Sequence, residues 1–494
     1  MDLLHAVAGC TFDDFLLAPQ RSIVDRRDPA TIDLSAPLTT SLTLSRPVVS
    51  ANMDTVTRAE MAIVMAEEGG IGIIDRGFRP GDIEPQVREV LRVKRTQHGV
   101  IPDPLTIAPG ATLAEAAAVM ARAKVGTLVV VDADWRLRGM LTERDLQFVD
   151  DLTVPVSSRM TPRARLATFR GQPNQAATGR AMAEHRVKKL PVVDEGDRLV
   201  GLVTARDLIR LRDMPHATRD EQGRLRVGAA IGARGDYLER AAELVKAGVD
   251  VLVIDIAHGH SMVMERALAE VRKRFPVMDV IAGNVATAEG ATFLVDRGAS
   301  AVKVGIGPGG GCTTRLTTSF GVPQLQAIIE CHRALIGRVP LIADGGVKRH
   351  GAIGLALMCG GDTVMLGSAF AGTTEAPGEV VKKSVLLPES QKPVKVPFKV
   401  LRGMASIEAI KDRLDVEDAS AVDLQAIGAE GMEVSVPLRG SARSVMQEMM
   451  KHLCSSISYG GAESLADLRR RFLAEPQRYL IRLSESARRE SYER

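Results

Sequence analysis

Short apolar runs recur along this chain, each closed by glycine or polar residues. Residues 47–50, 71–74, 227–231, 251–255, 280–284, 301–304, 340–344 and 363–366 read as strands of four or five residues. Between several of them the apolar positions return at helical spacing. One such stretch, residues 58–68, is stopped by Gly69-Gly70, and another, residues 237–247, is ended by Gly248. Glycine just past a periodic run is the usual helix stop. Eight strands in β/α alternation, apolar nearly throughout, predict a TIM (β/α)8 barrel, whose parallel sheet is covered on both faces. A doubly wound open sheet is the alternative, and it is disfavoured because no dinucleotide-binding glycine fingerprint follows the first strand.

The rhythm breaks at about residue 95. Residues 127–146 read TLVVVDADWRLRGMLTERDL and residues 189–208 read KLPVVDEGDRLVGLVTARDL, with eleven of twenty aligned positions identical. An amphipathic helical stretch precedes each copy, at residues 113–123 and 176–184. Such a duplication marks an inserted module of two small α/β units. It resembles a CBS-domain (Bateman) pair. The resemblance implies adenine or guanine nucleotides held through Thr142 and Asp145 in the first copy and Thr204 and Asp207 in the second, against the alternative of a structural pair without ligand. The expected organisation is a barrel from residues 1–94 and 214–483 with a mobile flap at about 400–432. Repeats at 95–153 and 154–213 and a tail at 484–494 without a readable motif complete it.

Composition narrows the partners. The chain of 494 residues has a formal net charge of +3 and 3% aromatic residues, which argues against a nucleic-acid surface. Five widely spaced cysteines form no CxxC pair, which predicts no structural zinc and a reducing, cytoplasmic home. Neither a secretory leader nor an apolar run long enough for a bilayer is expected.

Barrel active sites lie at the C-terminal ends of the strands. Those ends carry Asn52 and Asp54, Asp255 with His258 and His260, Gly283-Asn284, Asp344-Gly345-Gly346 and Gly367-Ser368. After the sixth strand come five glycines and a proline, then Cys312, Thr313, Thr314 and Arg315. Cations and backbone N–H groups favour the thiolate, the nucleophilic form of cysteine. The alternative is a flexible loop with a chance cysteine. Glycines after the seventh and eighth strands are where barrels hold phosphate, and Asp344 is placed to accept from two ribose hydroxyls.

The stretches GIGPGGGCTTR, IADGG, SANMDTVT, DIAHGHS, IAGNV and MLGSAFAGTTEAPGE, with the inserted pair, resemble the IMP dehydrogenase/GMP reductase family from about residue 8 to 475. The resemblance implies a purine nucleotide monophosphate as substrate and a covalent adduct of its C2 with Cys312. Thr314 and Glu430 would form a proton relay. Substrate contacts would come from Ser50, Asn284, Asp344, Gly345, Gly346, Gly367, Ser368, Arg402, Gly403 and Met404. A nicotinamide cofactor, NADPH or alternatively NAD, would meet Asp255, Ala257, His258 and Gly305. Backbone carbonyls of Gly305, Gly307 and Cys312 would hold a monovalent cation such as K+. A homotetramer is implied, extended to an octamer through the CBS pair.

Within this family the dehydrogenase carries an Arg-Tyr pair in its flap, whose arginine activates water. Residues 407–431 contain no such pair, and Asp412-Arg413-Leu414 is the nearest echo. The segment SSISYGGA at 455–462 also resembles reductases, whereas the inserted pair is less usual in them. GMP reductase is the favoured expectation, IMP dehydrogenase the alternative. Gly310 and Leu401 stand where the family usually has Ser and Tyr at the phosphate, and Asp75 where His is common. Those departures keep open a catalytically decayed nucleotide-sensing paralogue. A different TIM-barrel enzyme is the remaining alternative.

Overall fold

The computed structural model describes residues 2–96, 100–101, 104–123, 125–171, 175–206, 208–209, 214–385, 393–413 and 428–492. Two compact units emerge. One comprises residues 1–95, 216–220 and 225–494, the other residues 96–215 and 221–224.

The first unit is a closed barrel of eight parallel strands in chain order. They are β1 (Val48–Ser50), β2 (Ile71–Ile74), β3 (Gly228–Ile231), β4 (Val251–Asp255), β5 (Asp279–Val285), β6 (Ala301–Val304), β7 (Leu341–Asp344) and β8 (Thr363–Leu366). Residue parity decides which side chains fill the barrel and which face the helices. Val49, Ile71, Ile73, Ala230, Val251, Val253, Ile281, Ala301, Ile342 and Met365 form the interior. Their alternates, among them Leu252, Ile254, Val302, Val304, Leu341 and Ala343, pack outward under the helices. An antiparallel hairpin of Ala36–Pro37 and Thr43–Leu44 adds Leu38, Leu42 and Leu44 to the interior layer.

After β8 the chain builds an antiparallel sheet of Val381–Val385, Val394–Arg402 and Glu433–Pro437. Its register pairs Arg402 with Glu433. The backbone leaving Arg402 and the backbone arriving at Glu433 therefore run side by side. The C-terminal segment, expected to be a tail without a motif, instead forms helix Glu485–Tyr492. Tyr492 donates its hydroxyl to the Phe15 carbonyl at 2.8 Å, and Arg349 stacks over its ring.

In the second unit each repeat forms a four-stranded sheet. Strand Val100–Ile101, which precedes the first repeat's own strands, completes the sheet of the second by pairing with Leu199–Thr204. Val129, Val131 and Leu137 pack against Val193, Leu199 and Leu202, so the two copies share a core. Among the described residues no helix is long and apolar enough to cross a membrane.

Candidate active site

Parity carries the interior positions up to the C-terminal rim. Two residues beyond Val253 comes Asp255, beyond Ala301 comes Lys303, and beyond Ile342 comes Asp344. A cavity of about 340 Å³ opens at this rim, lined by these three residues together with Arg76, Asn284, the 305–312 loop, Thr314, Gly345, Gly346, Gly367, Ser368, Arg413 and Glu430. The same parity puts Ser50 on the outer face. Its buried hydroxyl accepts from Thr57 Oγ1 at 2.9 Å, and Ala51, Asn52 and Met53 line the cavity in its place.

Lys303 is the buried hub of the floor. Its ammonium donates to Asp344 Oδ2 at 2.7 Å and pairs with Asp255 Oδ1 at 2.9 Å, and it also reaches Asn284 Oδ1. Burial opposes charge on all three ions. For Asp255 that upward push is outweighed by Lys303 and Arg76, which leave its carboxyl below the usual range. For Lys303 the burial penalty is outweighed by Asp255 and Asp344, which raise its pKa. Asn284 Nδ2 donates to Asp344 Oδ2 at 2.9 Å and to the Gly305 carbonyl at 2.7 Å.

The cysteine loop leaves β6 through Gly305, where φ is 151° and an added Cβ would fall 2.0 Å from the Asp344 carbonyl oxygen. Only glycine fits there. Arg315 lies within electrostatic reach of the Cys312 thiol. It clasps the loop from within, donating Nε to the Ile306 carbonyl at 3.2 Å and Nη2 to that of Val322. Of the five free cysteines, Cys312 alone is not buried. Burial raises the thiol pKa of Cys10, Cys331, Cys359 and Cys454, that of Cys454 to about 11.

Glu430 arrives from the returning segment. Met432 N donates to the Gly311 carbonyl at 2.9 Å, and Thr313 N to that of Glu430 at 2.9 Å. Thr314 Oγ1 donates to Glu430 Oε2 at 2.7 Å and lies 3.2 Å from Cys312 Sγ. Thiol, hydroxyl and carboxylate thus form one continuous hydrogen-bonded chain. It is built for moving a proton to or from a group bonded to sulfur.

These motifs decide the relationship, since residues 9–493 match the family model of the IMP dehydrogenase / GMP reductase domain. The chain belongs to the IMP dehydrogenase/GMP reductase family. An inosine-5'-monophosphate dehydrogenase of Aquifex aeolicus is 42% identical over 93% of this chain and 91% of its own. One from Pasteurella multocida is 43% identical over the same shares. Among solved structures, a GMP reductase of Trypanosoma brucei in complex with guanosine 5'-monophosphate superposes with a TM-score of 0.86. It is 37% identical, covering 98% of this chain and 97% of its own. The same parasite's GMP reductase in complex with guanosine 5'-triphosphate gives 0.77 at 34% identity, over 97% and 98%.

Several residues that the family resemblance singles out lie elsewhere. Arg402 turns from the cavity to Asp54, donating Nε at 3.0 Å and Nη2 at 2.6 Å to Oδ2, and reaches Asp412 at 2.7 Å. Burial opposes its charge, but these carboxylates overcome it and raise its pKa. Its neighbours Gly403 and Met404 do line the cavity, as does Ala257. His258 is exposed beside His260 and outside the lining. Thr142 and Asp145 cap their own short helix, Asp145 Oδ2 accepting from Thr142 N at 2.7 Å and from its hydroxyl at 2.8 Å. Thr204 closes strand Leu199–Thr204, and Asp207 lies outside the described residues, as does the flap between 414 and 427.

Sequence reading missed Lys303 and Arg76 and took Arg413 only as the nearest echo of the flap's Arg-Tyr pair. The signal for Lys303 was present: a lysine inside an otherwise apolar barrel strand. Arg413 lines the cavity while donating Nη2 to the Met404 carbonyl at 2.8 Å and Nε to that of Ala409 at 3.0 Å. Burial depresses its pKa, with Arg76 adding to the effect.

Proposed function

We propose that this protein reduces GMP to IMP and ammonia with NADPH through a covalent Cys312 adduct. The observation that carries this reading is the Cys312–Thr314–Glu430 chain, set beside a flap sequence with no Arg-Tyr pair. Cys312 sulfur adds to C2 of the purine, and the C2–N2 bond breaks as ammonia leaves. Glu430, through Thr314, supplies the proton that the departing amine needs. NADPH, when bound, supplies the hydride that replaces sulfur at C2. Asp255 and Arg76 line the side of the cavity expected to receive its nicotinamide half. Asp344, held by Lys303 and Asn284 through Oδ2, presents Oδ1 to ribose hydroxyls. Gly345, Gly346, Gly367 and Ser368 are the phosphate-side residues, and Ser50 and Arg402 would act only by supporting the rim.

The expected monovalent cation would be held by the carbonyls of Gly305, Gly307 and Cys312. That of Gly305 accepts one hydrogen bond from Asn284 and keeps a second lone pair for the ion. No step above needs the ion.

The names of the relatives at 42–43% identity favour a second reading, IMP dehydrogenase. Mixing GMP with NADPH should consume the reduced-nicotinamide absorbance and release ammonia. Turnover of IMP with NAD and none of GMP would reverse the assignment. A decayed paralogue, suggested by the absent hydroxyls at Gly310 and Leu401, predicts neither. The proposal extends to regulatory nucleotide binding at the CBS pair, which would require opening the Thr142–Asp145 cap. A cytoplasmic homotetramer, or an octamer joined through the pair, is the assembly consistent with this role.

A further inference from the structure

Away from the cavity, two helices of the barrel unit carry a mixed cluster. His350 opens helix His350–Met358, and Glu448 and His452 belong to helix Ala442–Tyr459. Spacing of four residues places Glu448 and His452 on one helical face. The Nδ1 atoms of His350 and His452 lie 2.6 Å apart, with ring centroids 4.7 Å apart. Glu448 Oε1 lies 3.9 Å from His350 Nδ1. One ligand atom from each of the three lies within 4.8 Å of the others, a grouping found nowhere else among the described residues.

We propose that His350, Glu448 and His452 form a binding site for a first-row transition cation such as Zn²⁺. Two imidazole nitrogens and one carboxylate oxygen make a borderline donor set, suited to Zn²⁺, Co²⁺, Ni²⁺ or Cu²⁺. Mg²⁺ and Ca²⁺ favour oxygen-only shells. Tetrahedral bonds of about 2.0–2.1 Å put ligand atoms roughly 3.3 Å apart. The observed 2.6 and 3.9 Å fall on either side of that spacing, so small side-chain rotations complete the site. Without a cation, one imidazole must donate its Nδ1 proton to the other. A cation instead takes the lone pairs of both. Three protein ligands leave a fourth position for water or an exchangeable ligand. Occupancy would tie the helix after β7, the strand bearing Asp344, to helix Ala442–Tyr459, and would stabilise the fold by mass action.

The test uses the full chain with Cys312→Ala, which removes the one cysteine that is not buried. Calorimetric titration with Zn²⁺ should show one equivalent bound. Zn²⁺ should raise the melting temperature and Mg²⁺ should not, and Co²⁺ should give the visible absorption of a tetrahedral complex. His452→Gln and Glu448→Gln alter exposed side chains that the fold does not need, and each should weaken Zn²⁺ binding at least about tenfold. Undiminished binding in the His350→Gln/His452→Gln pair would overturn the proposal. So would the absence of binding below millimolar Zn²⁺. None of these readouts depends on which nucleotide is turned over.

Discussion

Replacing Lys303 with methionine keeps the length of the side chain and removes its charge from the barrel floor. Lys303 is 2% exposed and faces Asp255 at 2.9 Å and Asp344 at 2.7 Å. At an effective dielectric of about 20, each pair corresponds to about 6 kcal/mol of attraction. Desolvation of the three ions offsets most of it. Deleting only the cation removes the attraction and leaves two largely buried carboxylates without it. Such a deletion costs about 3–5 kcal/mol. The loss depends on pH. In the wild type Asp255 has a depressed pKa, so its contribution is present above its unfolded value and lost as pH falls through the folded one. In Lys303→Met the cation is gone and burial dominates. Asp255 then titrates high, and protonation relieves the strain as pH falls. The variant should therefore trail the wild type by about 3–5 kcal/mol at pH 8 and by much less at pH 5. Urea unfolding followed by far-ultraviolet circular dichroism reads this. Fluorescence does not, because the single tryptophan, Trp135, belongs to the other unit. Adding Asp255→Asn should restore at least about 1 kcal/mol at pH 8, since neighbouring sites couple. A deficit under about 1 kcal/mol, or one indifferent to pH and to Asp255→Asn, would refute the hub.

Glu430→Gln keeps the hydrogen bond to Thr314 but cannot carry a proton. It should lower kcat by about 10²–10⁴ with little change in KM, measured in steady state with GMP and NADPH. Cys312→Ala should abolish both turnover and the covalent nucleotide adduct in intact-mass spectra, and a native thiol reagent should label Cys312 ahead of the four buried cysteines. Asp75 is fully buried and its pKa is raised to about 6, chiefly by burial, against the pull of Arg58. Its contribution to stability is present below pH 3.8 and lost as pH rises through about 6, which amounts to about 3 kcal/mol. Asp75→Asn should thus melt above the wild type at pH 8 and level with it near pH 4. A Cβ at Gly310 meets only Leu401 at 3.7 Å and Ser368 at 4.0 Å. Gly310→Ser therefore fits, and one added hydroxyl on phosphate, about 1.5–3 kcal/mol, should lower KM for GMP some ten- to a hundredfold while leaving guanosine unchanged.

All eight barrel strands were legible because each is a short apolar run buried on both faces, and such runs need nothing beyond their own residues to declare themselves. The cysteine loop was legible for the same reason: only a glycine-dense segment can pass as close to Asp344 as Gly305 does. Parity was also in the sequence. Counting in twos from Val253, Ala301 and Ile342 reaches Asp255, Lys303 and Asp344, and the same count sends Ser50 outward. What the sequence could not contain is which charges meet. Lys303 joins Asp344 because β6 and β7 are neighbours around a closed ring, it reaches Asp255 on β4 across the intervening β5, and Arg402 leaves the cavity because Asp54 waits beside it. Glu430 and Thr314 are 116 positions apart, and the contact between them depends on a sheet register that pairs Arg402 with Glu433. Local chemistry is written along the chain, whereas electrostatic partners are set by distances that exist only once the barrel closes.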